Sequence, residues 1–106
     1  MDRLLSLLQE FNFPYAYHHF AEGESPEPPF LIYLIPKNHH FSADGKIYHK
    51  TMLVRLELYS DKKDIENEST MENVLERNDF YYQKSSLWIE SESLYETIYE
   101  FEMEEE

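Results

Sequence analysis

FLIYLI, residues 30–35, is apolar at every position, and KIYHKTMLVRLELYS, residues 46–60, alternates. The first stretch predicts a strand buried on both faces near the middle of a sheet. In the second, Met52, Val54, Leu56 and Leu58 point one way while Arg55 and Glu57 point the other, the period of a half-covered strand. Between them PKNHHFSADG, residues 36–45, reads as a loop whose Asp44-Gly45 pair signals a hairpin turn.

Upstream, Leu4, Leu5, Leu8 and Phe11 form one apolar stripe of a helix. Asn12 suits the left-handed position that closes such a helix, and Pro14 prevents continuation. Residues 15–20 are aromatic-rich and predict a short strand, and AEGESPEPP, residues 21–29, predicts a loop. Downstream, residues 61–78 carry Met71, Val74 and Leu75 at helical spacing behind an Asp61 or Asp64 cap. Residues 80–83 and 87–89 predict a strand. The last segment sets Tyr95, Thr97, Tyr99, Phe101 and Met103 against Glu96, Glu100 and Glu102, with Ile98 breaking the polar face. The order is α-β-β-β-α-β-β. It predicts one α+β domain over 1–106: a single, mostly antiparallel sheet of four to five strands with two helices on one face, and a frayed acidic tail at 103–106.

Composition narrows the function. With 106 residues, 42% of them hydrophobic and 16% aromatic, the chain has room for one core and is too apolar for a disordered acidic segment. Its formal charge of −13 argues against direct affinity for nucleic acid or an anionic membrane. It suits a basic partner, or a surface that must not adhere to DNA. With no cysteine, thiolate metal sites, thiol nucleophiles and disulfides are excluded. MDRLLSLLQEF at the start lacks a long apolar region and a cleavage site, so it reads as an amphipathic helix.

Residue types that could carry chemistry are present without a pattern. His18 and His19, adjacent on a strand, should point to opposite faces and not share an ion. His39, His40 and Asp44 are a conceivable metal set in the loop, but surface histidines explain the same residues, and the expectation is no metal and no cofactor. There is no nucleophile elbow and no glycine-rich phosphate loop, so no catalytic residue is assigned and no enzyme is expected. After Lys84 come eight glutamates and no Lys or Arg. They read as a solvated strand face or as an anionic surface toward DNA or a basic groove.

A resemblance spans nearly the whole chain. PYAYHHF (14–20), PPFLIY (28–33), FSADGKIY (41–48), LELYSDKKD (56–64) and YETIYEF (95–101) follow one another in an order similar to the small tail-completion proteins of siphophages and Gram-positive prophages. That resemblance implies a non-enzymatic structural protein, a subunit of a ring, commonly a hexamer, that joins the tail tube to the head connector. Its partners would be further copies of itself, the tail-tube protein and the head-connector protein. It would be found in the host bacterial cytoplasm during assembly and then in the virion. By position, the resemblance implies that His39, His40, Phe41, Ala43 and Asp44 contact a neighbouring subunit or the tube. Glu96, Glu100 and Glu102 would form an anionic lumen face. The alternatives are an acidic DNA mimic that inhibits a host nucleic-acid enzyme, and a head-side adaptor or stopper.

Overall fold

Apolar side chains on alternate strand positions and on one stripe of each helix meet in a single cluster, and the architecture follows from that meeting. The computed structural model describes the backbone of residues 2–43 and 46–104, and their side chains apart from residues 2 and 39–49. The elements are α1 (Asp2–Phe11), β1 (Tyr15–Tyr17), β2 (Phe30–Ala43), β3 (Lys46–Ser60), α2 (Ile65–Arg77), β4 (Tyr82–Ile89), a short 3-10 turn (Glu90–Glu92) and β5 (Leu94–Glu104). The strands form one five-stranded sheet in the order β1-β2-β3-β5-β4.

That sheet is mixed, which corrects the mostly antiparallel one expected. β1 runs parallel to β2, with Tyr15 opposite Leu31 and Tyr17 opposite Tyr33. The reason is the connection. Residues 18–29 are about a dozen, enough to carry the chain back and start β2 in the same direction, whereas a tight hairpin would have reversed it. The pairings of β2 with β3, β3 with β5, and β4 with β5 are antiparallel.

The stripe of α1 is Leu4, Leu7, Leu8 and Phe11, all nearly inaccessible, and Leu5 is only partly buried beside them. Positions i, i+3, i+4 and i+7 face one way on a helix, and Leu7 completes that set better than Leu5. Asn12 has the left-handed φ of 63° that ends the helix before Pro14. In α2 the Asp64 carboxylate caps the first turn, its Oδ1 accepting from the Asn67 backbone N–H at 3.1 Å. Met71, Val74 and Leu75 face the core. They pack with Leu31 and Tyr33 of β2, Met52, Val54, Leu56 and Leu58 of β3, and Tyr99, Phe101 and Met103 of β5. Met103 and Glu104, expected in a frayed tail, belong to β5, and Met103 pairs with Met52.

The largest departure is at residues 36–43, expected as part of a loop over 36–45. β2 continues through Pro36 to Ala43 and β3 begins at Lys46, making a long ribbon, while the Asp44-Gly45 hairpin signal lies outside the described residues. Pro36 is absorbed by a register shift: Leu34 pairs with Arg55 and Lys37 with Leu53, leaving two residues of β2 against one of β3. A bulge of this kind leaves a residue outside the ladder, so the missing proline N–H costs no ladder bond.

Candidate functional site

Since both helices share one face of the sheet, the opposite face is free of helices, and the strand registers fix what it displays. Phe30, Tyr59, Glu96 and Leu87 lie in one cross-strand row. Ile32, Glu57, Ile98 and Ser85 form the next, and Leu34, Arg55, Glu100 and Gln83 the one after.

The first two rows hold a buried polar cluster. Glu57 and Glu96 are each only 7% exposed. The Tyr59 hydroxyl lies 2.9 Å from Glu57 Oε1 and 2.7 Å from Glu96 Oε2, and Arg55 Nε donates to Glu57 Oε2 at 2.8 Å. One hydroxyl has one proton for these two acceptors, and Glu57 is the one that also accepts from Arg55, which leaves Glu96 with Tyr59. Burial pushes the Glu96 carboxyl up, the hydrogen bond from Tyr59 pulls it down, and the Glu57 carboxylate adds to the rise. The Tyr59 hydroxyl is itself held protonated by burial and by its two carboxylate partners.

Beside this cluster a groove of about 590 Å³ lies between the sheet and the 18–29 loop. Its wall is aromatic: Phe20 meets Phe30 edge to face, and Phe30 stacks on Tyr59, each pair 5.3 Å between centroids. Its rim carries the exposed acids Glu27, Asp61 and Glu92. His18 and His19 also line it. They correct an expectation, because β1 ends at Tyr17 and His18 takes a φ of 66°, which turns the chain and brings the two rings together. Their Nδ1 atoms are 3.2 Å apart, so one nitrogen donates and the other accepts. Among the described residues no group of three or more His, Asp or Glu is placed to hold a metal ion.

At the other end of the same two strands the ribbon leaves the sheet. β1 pairs with β2 only as far as Tyr33, and β5 pairs with β3 only from Thr51 onward. Beyond the His39–Thr51 pair, β2 and β3 pair only with each other among the described residues. His39, His40, Phe41 and Ala43 lie on this arm, although their side chains are outside the described residues, as is all of Asp44. Glu96, Glu100 and Glu102 do share the helix-free face, but they differ in access. Glu96 is buried against Tyr59, Glu100 is half-buried and Glu102 is exposed.

The helix side has its own ionic network. The Glu68 carboxylate, 3% exposed as a residue, receives the ammonium groups of Lys63 and Lys84, each at 2.8 Å. Burial pushes this carboxyl up, yet the two lysines together outweigh it and hold it below its ordinary value. Lys84 also reaches Glu72 at 2.7 Å, and the Tyr99 hydroxyl donates to Glu72 at 2.8 Å. The Tyr82 hydroxyl, donating to Glu76 at 2.6 Å, is pushed up to about 12, chiefly by that bond. This network ties α2 to β4 and β5. β4 is an edge strand, and it exposes Leu87 and Trp88.

No protein-family model matches the chain, and no curated protein matches it. No helix among the described residues is long and apolar enough to cross a membrane.

Proposed function

We propose that this chain is a structural subunit that assembles with copies of itself into a ring joining a phage tail tube to the head connector. The observation that carries the reading is the β2–β3 arm, which runs past the sheet as a ribbon with no third strand among the described residues. Such a ribbon is marginal alone in water, so its length is best accounted for by a partner that packs on it. The β4 edge supports the same reading. Its free side presents backbone donors and acceptors beside Leu87 and Trp88, a surface suited to another chain. Contacts between unlike surfaces generate a ring when the rotation relating the copies closes. The succession of segments that resembles tail-completion proteins gives the ring its place.

In such a ring Glu100 and Glu102 would face the passage for DNA, where negative charge keeps the duplex from adhering. Affinity capture of the tagged chain from phage-producing cells tests the proposal. Recovery of tail-tube and connector proteins is expected, as are unjoined tails and heads in particles made without this chain. Recovery of a host nuclease or polymerase in their place would overturn it and favour the DNA mimic.

A further inference from the structure

We infer that the groove between the sheet and the 18–29 loop takes an arginine side chain from an extended segment of a partner protein. The inference goes beyond the ring reading and does not depend on it. It starts from how the acids of the chain are partnered. Glu10, Glu57, Glu68 and Glu72 are each ion-paired to a lysine or an arginine. The rim acids Glu27, Asp61 and Glu92 differ: all three are exposed, and none has a hydrogen-bond or ion-pair partner among the described residues. No lysine or arginine among those residues lines the groove. Like charges gathered on one rim repel, and a cation placed among them turns that repulsion into attraction.

The walls select the cation. Phe30 is buried between Phe20, which meets it edge to face, and Tyr59, which stacks on it with 23° between the ring planes. Phe20 and Tyr59 are only half-buried, so both offer ring surface to the groove. A guanidinium lies flat on such rings and forks onto carboxylates, whereas an ammonium acts as a hydrated point charge. The chain's own arginines are poor occupants, because all three are already engaged. Arg3 stands over the Phe80 ring at 5.3 Å, Arg55 donates to Glu57 at 2.8 Å, and Arg77 pairs with Glu10 at 2.9 Å. The partner is therefore a different protein. Ser25 and Ser93 on the rim are exposed like Glu27, so the groove is open to a chain crossing it and not closed around a free small molecule.

Amide NMR of the full, isotope-labelled chain, titrated with the capped peptide Gly-Arg-Gly-Arg-Gly, tests this. Shifts are expected at residues 18–20, 59–61 and 92–94, with an affinity about fivefold or more above that for Gly-Lys-Gly-Lys-Gly. Glu27→Gln with Glu92→Gln alters two exposed positions, so circular dichroism should be unchanged while arginine-peptide binding weakens about tenfold. Equal affinity for the two peptides, shifts spread over the whole acidic surface, or unweakened binding by the folded variant would each mean attraction by net charge alone and overturn the inference. Absence of any shift at millimolar peptide overturns it as well. Groove shifts on concentrating the chain without peptide would seat a second copy there and also overturn it. Failure in the peptide arms leaves the ring standing, since recovery of virion proteins from cells decides that separately.

Discussion

The Tyr59 hydroxyl lies 2.7 Å from Glu96 Oε2, on a sheet face where no helix covers either residue. Two carboxylates and one phenol share that spot, and burial together with the neighbouring Glu57 carboxylate raises the Glu96 carboxyl against the pull of the Tyr59 bond.

Stability should therefore fall as pH rises through the titration of Glu96. Its folded-state carboxyl is raised above the ordinary 4.5, first by burial. A raised group contributes most below its unfolded value and loses that contribution as pH climbs through the folded value. Glu96→Gln removes the titration while keeping a donor toward Tyr59. Urea unfolding of both proteins from pH 4.5 upward should show the native chain losing stability relative to the variant. A constant difference across the series would mean that Glu96 ionises normally.

Glu68 should behave in the opposite sense. The lysines hold its carboxyl below the ordinary 4.5, so its contribution is present above that value and is lost as pH falls through the lowered one. Glu68→Ala leaves Lys63 and Lys84 facing each other without their shared anion. Breaking a fully buried pair costs about 3–5 kcal/mol, but both lysines reach solvent, so a loss of about 2 kcal/mol at neutral pH is expected. The difference from the native chain should shrink in acid. Thermal unfolding at neutral and low pH measures both.

These two acids also show how far the sequence could be read. The alternation of Met52, Val54, Leu56 and Leu58 defined β3 and its core face, because a period of two survives any choice of partner strand. The Asp64 cap was equally local. What escaped was set by partners distant in sequence. Pro36 reads as a strand breaker until a bulge between the Leu34–Arg55 and Lys37–Leu53 pairs absorbs it. Glu57 and Tyr59, two residues apart, visibly share a face, but Glu96 joins them only through strand pairing. His18 and His19 look divergent on a strand and converge because His18 turns the chain. The groove, made by a loop folding beside a sheet end, had no local signature at all.

Charge reversal separates the two outer-face roles assigned to glutamate. Glu100→Lys with Glu102→Lys changes half-buried and exposed positions, so unfolding should shift by no more than about 0.5 kcal/mol each. If these residues line a DNA passage, the joined particles should form normally yet eject DNA poorly, since cations in the wall would bind phosphates. Normal infectivity of the variant would remove both residues from the lumen.

Deleting the arm tests whether assembly can be separated from folding. His39 and Thr51 are paired across β2 and β3, and Thr51 is also the last β3 residue paired to β5. Replacing residues 40–50 by an Asn-Gly turn would close the hairpin where the sheet ends, with all five strands and both helices retained. Among the described residues, the member of the core cluster nearest the cut on β3 is Met52. A bare ribbon contributes little by itself, so stability should change by less than about 1 kcal/mol. Self-association and joining of heads to tails should both disappear. If the shortened chain unfolds instead, the arm is part of the fold rather than a limb for assembly. If it folds and still joins particles, subunit contacts reside in the β4 edge, where the exposed Leu87 and Trp88 become the next residues to change.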